Sequence, residues 1–234
     1  MKQFFAIITS LFIALLIILL LAMLFPQTIL NLYLKHIEKS LNIDISFSSK
    51  QVSLVKAWHF KDVKISSKAG YVVNAKDLFL YPPFFSVRKG EIYINCDAKE
   101  LGFHKDMPVI DSVFNLISLE SFGNITFDDV KAKIALKQSK MDINNLEAVG
   151  KDIKIFGRNT TDIKGGAIDC NLKFLFSKNI TDDIGDTVKV VLLKKEDDSW
   201  MGIDVEVKGD YKRPILNLKS DFLNLRIKGI GVAK

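Results

Sequence analysis

Residues 207–222 read VKGDYKRPILNLKSDF, and this stretch decides what kind of structure the chain forms. Apolar residues occupy every second position of residues 203–208, and a second alternating run covers residues 215–219. A period of two is typical of β-strands that bury one face. Because proline has no amide hydrogen to give to a neighbouring strand, Pro214 is expected at the start of a strand, on an edge strand or in a bulge. The stretch predicts two antiparallel strands joined by a turn at residues 209–214.

The same alternation continues through most of the chain after residue 42. Residues such as Gly70, Pro82 and Gly90 separate the runs, as turn residues do. Runs that repeat at intervals of about 8 to 12 residues are typical of antiparallel β structure, and about a dozen strands are expected here. The runs lie at residues 43–47, 60–66, 71–81, 91–96, 125–127, 130–136, 153–155, 168–176, 188–192, 203–207 and 223–227.

One segment, residues 108–120, follows a helical period instead. Its sequence is PVIDSVFNLISLE, with Pro108 at its start and Gly123 just beyond its end, which suits the boundaries of a helix. We expect a short amphipathic helix that separates an N-terminal half, residues 42–104, from a C-terminal half, residues 124–234. The residues with the spacing i, i+3, i+4 and i+7 are Ile110, Val113, Phe114 and Ile117.

The N-terminus contains a long apolar segment at residues 4–25, without a charged residue. As a helix it would be about 33 Å long, enough to cross the hydrocarbon core of a bilayer. A cleaved signal peptide has a shorter apolar region followed by a site of small residues, which is missing here. Residues 1–34 are therefore predicted to form an uncleaved transmembrane anchor with a helical tail. Because about 200 residues follow a very short N-terminal flank that contains Lys2, we expect residues 35–234 to be exported.

Composition and motifs argue against several functional classes. The net charge is +6, with Lys and Asp interspersed along the chain, whereas a nucleic-acid-binding protein usually clusters its basic residues. None of the three histidines has a partner at metal-ligand spacing, and no catalytic motif occurs. We expect a protein that is not an enzyme and needs no cofactor. The acidic residues 196–198 are interpreted as an exposed hairpin tip.

Two further features concern glycine and cysteine. Gly165 and Gly166 precede an alternating run, where a positive φ or a close approach of two backbones is expected. Cys96 and Cys170 both fall in phase with apolar neighbours. They are either small buried hydrophobic residues or, in an oxidising compartment, the two halves of a disulfide.

The order of short motifs resembles a known family. IDISF, HFKDVKI, GYVVNAKDLFL and KGEIYIN follow the N-terminal segment, while MDINNLEAVG, DIKIFG and GGAIDCNL follow residues 108–120. This order is similar to that of the AsmA-like family, which includes AsmA and TamB, and residues 209–214 resemble the closing turn of that family. The chain is shorter than a typical AsmA and is also similar to GspN, a short type II secretion component.

The resemblance implies a mainly β fold, with an elongated, taco-like antiparallel sheet whose apolar concave face shields lipid. It implies a single-pass protein of the bacterial inner membrane, with its C-terminal domain in the periplasm and a role in lipid transfer or outer-membrane biogenesis. Membrane lipids, and envelope or secretion proteins, are the implied partners. The alternative is a structural subunit of a secretion or lipopolysaccharide-export machine, similar to GspN or LptC. The candidate groove-lining residues are Ile168, Leu172, Phe174 and Phe176.

Overall fold

The computed structural model describes most of the chain beyond residue 42. The predicted transmembrane segment at residues 4–25 and the predicted helix at residues 108–120 lie outside the described part. Within that part, no helix is both long enough and apolar enough to cross a membrane. The described residues are 31, 34–35, 38–39, 43–52, 56–67, 72–81, 91–104, 124–137, 139–162, 164–210 and 213–228.

All the described strands belong to one antiparallel sheet of 13 strands, which confirms the predicted class. The strands are β1 (Ile43–Ser46), β2 (Ser49–Gln51), β3 (Trp58–Ser67), β4 (Val72–Tyr81), β5 (Glu91–His104), β6 (Asn124–Lys137), β7 (Lys140–Val149), β8 (Ile153–Asp162), β9 (Ala167–Ser177), β10 (Lys194–Lys195), β11 (Trp200–Asp210), β12 (Arg213–Lys219) and β13 (Asn224–Lys228).

The sheet is a meander in which strands pair with their neighbours along the chain. Its order is β1-β3-β4-β5-β6-β7-β8-β9-β11-β12-β13, while β2 pairs with β3 and β10 pairs with β11. Two short helices, α1 (Lys178–Thr181) and α2 (Asp186–Leu192), connect β9 to β10. The described edges of the sheet are therefore β1 and β2 on one side and β13 on the other.

The turn predicted from the opening stretch is confirmed. Gly209 pairs with Pro214 and Asp210 with Arg213, so β11 and β12 form a hairpin. Gly209 has a φ of +106°, which suits glycine. Pro214 is the second residue of β12.

The glycine pair also behaves as expected. Gly166 has a φ of +71°, and its N–H donates to the carbonyl of Asp162 over 2.8 Å. The Asp162 carboxylate accepts hydrogen bonds from the backbone N–H groups of Gly165 and Lys164. These bonds, led by that of Gly165, hold the pKa of Asp162 below its ordinary value. Asp162, Gly165 and Gly166 thus belong to a tight turn between β8 and β9.

The prediction of a strand at residues 188–192 is wrong, because these residues belong to α2. Val188 and Val190 fit a period of two, but Val191 and Leu192 continue the apolar run without a polar residue between them. Asp186 in the first turn and Lys189 in the last turn favour the helix through its dipole. The helix buries Leu192 and leaves Val190 exposed.

Five neighbouring strands interrupt their alternation with two consecutive polar residues. The apolar residues on both sides of each doublet still face the core: Phe60 and Val63, for example, belong to the same buried cluster. One extra residue therefore points outward in each strand, as in a β-bulge. The doublets are Lys61-Asp62 in β3, Lys76-Asp77 in β4, Lys99-Glu100 in β5, Asp128-Asp129 in β6 and Asn144-Asn145 in β7.

The four doublets of β3–β6 lie side by side and form what we call the charged seam. Asp77 pairs with Lys61 on one side and with Lys99 on the other. Lys99 pairs in turn with Asp129, and their side chains form an ion pair of 2.7 Å. Because the irregularity falls at the same level in all four strands, their register is unchanged across it.

Two residues of the charged seam have a left-handed backbone. Asp62 has a φ of +50° and Glu100 a φ of +48°. This region is unfavourable for residues other than glycine, because the Cβ atom approaches the following carbonyl oxygen. A strand bends at such positions. The local strain at Asp62 and Glu100 allows the apolar side chains on both sides of the doublet to face the same core.

Replacing Glu100 by glycine should stabilise the protein. The change Glu100→Gly relieves the left-handed backbone and removes only the exposed ion pair between Glu100 and Lys76, which is worth little. We expect the free energy of unfolding to rise by about 0.5–1 kcal/mol. Chemical denaturation of the full-length chain in detergent measures it. Lys99→Gly, at the neighbouring residue, is the control and should lower stability by a similar amount; equal losses at both positions would contradict this account.

Candidate functional site

One face of the sheet carries continuous rows of apolar side chains. Directly paired residues of antiparallel strands point to the same face, so the register shows which side chains lie together. The central row crosses ten strands, from β3 to β13, and Gly157 is its one position without a side chain. It consists of Trp58, Leu80, Cys96, Ala132, Leu146, Gly157, Leu172, Val205, Leu218 and Leu225.

Two parallel rows flank the central row on the same face, which we call the apolar face. The inner row consists of Phe60, Leu78, Ala98, Val130, Ala148, Ile155, Phe174 and Ile203. The outer row consists of Ile94, Ile134, Ile143, Asn159, Cys170, Val207, Leu216 and Ile227. Every position is apolar except Asn159.

The C-terminal part of the apolar face is closed. Phe174 and Leu216 have no exposed surface, and the neighbouring residues of β11 are buried as well. Helices α1 and α2 contribute Ile180 and Leu192 to the same buried cluster. Helix α1 leaves the sheet directly after Ser177 and contacts β9 and β11.

The central and outer rows are more open on β5, β6 and β7, whereas Ala98 and Ala148 of the inner row are buried. The side chains of these two rows and their outward neighbours are half-buried here, and we call this part the half-open region. The sequence contained its signal in the alternating runs at residues 91–96 and 130–136, but only the register shows that these runs meet on one face. The region consists of Ile94, Cys96, Ala132, Ile134, Leu136, Met141, Ile143 and Leu146.

The four candidate groove residues divide between the two parts. Phe174 and Phe176 are 0% exposed, so neither has the solvent-reachable position that a groove lining requires. The sequence could not show this, because apolar residues in phase along a strand look alike in an open groove and in a closed core. Ile168 and Leu172 are half-buried and do keep a reachable surface. Lipid contact stays a prediction for all four residues.

Both cysteines lie on the apolar face and are free. Cys96 belongs to the central row and Cys170 to the outer row. Burial, with a smaller contribution from the neighbouring Asp97 or Asp169, raises the pKa of each thiol to about 11. Both thiols are therefore protonated at neutral pH and act as small apolar side chains.

The opposite face carries charges of both signs. Glu206 on β11 accepts a hydrogen bond from Asn217 and forms ion pairs with Lys208 and Lys219, at 2.7 and 3.7 Å. The contact with Lys208 is the main cause that lowers the pKa of Glu206. Because acidic and basic side chains alternate across the strands, this face resembles an ordinary solvated surface.

The acidic residues 196–198 form the predicted hairpin tip. The Asp197 carboxylate accepts hydrogen bonds from the backbone N–H groups of Ser199 and Trp200, at 2.7 and 2.9 Å. Lys195 pairs with Asp198 at 2.6 Å on the exposed surface. The carboxylates of this segment thus hold a turn between β10 and β11.

The described residues contain no group of three His, Cys, Asp or Glu side chains that could hold a metal ion. His59 pairs with Asp77 over 2.6 Å and stacks on Phe79, with 4.3 Å between the ring centroids. His59 is therefore held by its neighbours on the polar face of the sheet. The apolar face, which offers a large hydrophobic surface, remains the candidate functional site.

Comparisons with known proteins found no relative: no family model, no curated protein and no solved structure matches the chain.

The closed and half-open parts should differ in their tolerance of charge. Phe174→Glu places a carboxylate among fully buried side chains and should cost at least about 3 kcal/mol, enough to prevent stable folding. Leu172→Glu, on the same face of the same strand, keeps access to water and should cost about 1–2 kcal/mol. Thermal unfolding of both variants measures the difference. Equal losses would show that Leu172 is sealed as tightly as Phe174.

Proposed function

We propose that the chain is an AsmA-like protein of the bacterial cell envelope. In this proposal, residues 4–25 anchor it in the inner membrane, and the β domain lies in the periplasm. The domain holds or transfers lipid, or assists the assembly of the outer membrane. The observation that carries the proposal is the continuous apolar face, whose central row crosses ten strands and whose half-open region stays partly exposed.

The dimensions of the apolar face suit an acyl chain. Neighbouring strands lie about 4.8 Å apart, so the half-buried part of the central row, across the seven strands from Trp58 on β3 to Leu172 on β9, is roughly 29 Å long. The hydrocarbon core of a bilayer is about 30 Å thick, and one acyl chain spans about half of it. A lipid tail therefore fits along the rows. Each CH₂ group moved from water to such a surface is stabilised by about 0.8 kcal/mol.

The charged seam supports a curved, taco-like shape. In each of β3–β6 it places one extra residue on the polar side, while Phe60 and Val63, on the two sides of the seam in β3, still belong to one buried cluster. Added length on the polar side bends the strands toward the apolar face. A sheet bent in this direction encloses its apolar side chains in a groove.

The alternative function, a structural subunit similar to GspN or LptC, is favoured by other observations. The C-terminal part of the apolar face is filled, with Phe174 and Leu216 fully buried. In the described part of the sheet, β13 pairs with β12 alone, so its other edge is open to a strand of a partner protein. In that case the sheet is a docking platform and its interior does not receive lipid.

Photo-crosslinking from the half-open region tests the proposal. A photoreactive phenylalanine analogue at Ile134, expressed in the full-length chain in cells, should give adducts whose added mass is that of a lipid. The same analogue at Lys133, the exposed neighbour on the opposite face of β6, is the matched control and should give none. Intact mass spectrometry after irradiation measures the adducts of both variants. Protein adducts from Arg226 on β13, without lipid adducts at Ile134, would favour the structural subunit.

The topology is tested separately. Alkaline phosphatase fused after Lys234 should be active, because the enzyme folds only outside the cytoplasm and residues 35–234 are predicted to be exported. The same fusion on a chain without residues 1–34 should be inactive. A mature protein that begins near Gln27 would show that the apolar segment is a cleaved signal peptide.

A further inference from the structure

Strand β8 places a polar pair on the apolar face. Asn159 lies in the outer row, where it pairs with Ile143 on one side and Cys170 on the other. Thr161, two residues further along the strand, points to the same face and pairs with Ile168. Asn159 and Thr161 are half-buried, so this polar pair is partly reachable from outside.

The hydrogen bonds of the pair are incomplete. The Nδ2 atom of Asn159 donates to the Oγ1 atom of Thr161 over 2.9 Å, whereas the buried Oδ1 atom of Asn159 has no hydrogen-bond partner. A buried acceptor without a donor destabilises the folded state, because it has lost its water and gained nothing in return. A leucine or valine at this position would continue the apolar row without that cost.

The pair has hydrogen-bonding capacity left for a ligand. Asn159 offers an acceptor, and Thr161, which accepts the bond from Asn159, keeps its own hydroxyl hydrogen to donate. Rotation of the Asn159 amide about χ2, a broad torsion, turns Oδ1 out of its buried position without a change in the strand, and it breaks the bond from Nδ2 to Thr161. A ligand group with both a donor and an acceptor satisfies both atoms at once.

We propose that Asn159 and Thr161 bind the hydroxyl or amide group that adjoins the acyl chain of an amphiphile. The inference rests on the proposed lipid-holding function and adds the class of lipid. A hydroxyl or a secondary amide gives a hydrogen to Asn159 and accepts one from Thr161. An ester or an ether has no hydrogen to give, so the pair distinguishes these classes while the apolar rows hold the tail.

Two photoreactive probes that differ by one donor test the inference. The first is hexadecanol with a diazirine in its chain, and the second is the methyl ether of the same alcohol. Each is incubated with the full-length chain in detergent micelles of fixed composition, and capture is read by intact mass. The parent protein should capture the alcohol roughly three- to tenfold better than the ether, as one hydrogen bond predicts.

The variant Asn159→Leu should lose this preference and capture both probes equally. Its melting temperature should equal or exceed that of the parent, because the substitution removes an unpaired buried acceptor. Asn95→Leu, the same change at an exposed residue on the polar face of β5, is the matched control and should keep the preference. If Asn159→Leu does not fold, Thr161→Val serves as the second variant, and a loss of preference is expected there too.

The outcomes separate this inference from the proposed function. Equal capture of both probes by the parent protein overturns the inference and leaves lipid holding intact. A preference that persists in the Asn159 and Thr161 variants also overturns it. Capture of neither probe overturns both proposals.

Discussion

Each side chain of an antiparallel strand shares its face with the residues paired to it on either side, and the rest of this structure depends on that rule. Only one face of a single sheet packs against the core, so every strand must place its apolar side chains on that face. The central row meets this requirement in every strand from Trp58 to Leu225. A slip of one residue in any strand would turn its polar side chains inward and break the row.

The charged seam allows the strands to be long while their apolar side chains stay on one face. Bulges usually shift the register between two strands, but here four strands carry the irregularity at one level. The ion pair between Lys99 and Asp129 joins the seam across β5 and β6. Exposed ion pairs add little stability, so the seam acts mainly by aligning the strands and by directing their bend.

Sequence patterns predicted the β class, the hairpin of Gly209 and Pro214, and the turn at Gly166, because each depends on local residue chemistry. They did not predict α2, since Val188 and Val190 imitate a strand over a few residues. They also could not show which side chains share a row, because this depends on the strand register, which pairs residues that are distant in sequence. The seam had a visible signal, a polar doublet between apolar residues, in the sequences FKDV, AKDL, AKEL and FDDV. Asn159 had none, because RNTT looks like an ordinary polar stretch.

The meander order has a consequence for how such a protein is built and changes in length. Since nearly every strand pairs with the next strand along the chain, the sheet behaves as a one-dimensional array in which each unit interacts with its neighbours. Such an array can assemble progressively, strand by strand, as the chain is synthesised. Strands added in pairs, as whole hairpins, leave the register of the remaining strands unchanged. A shorter and a longer sheet of this kind can therefore have the same first and last strands.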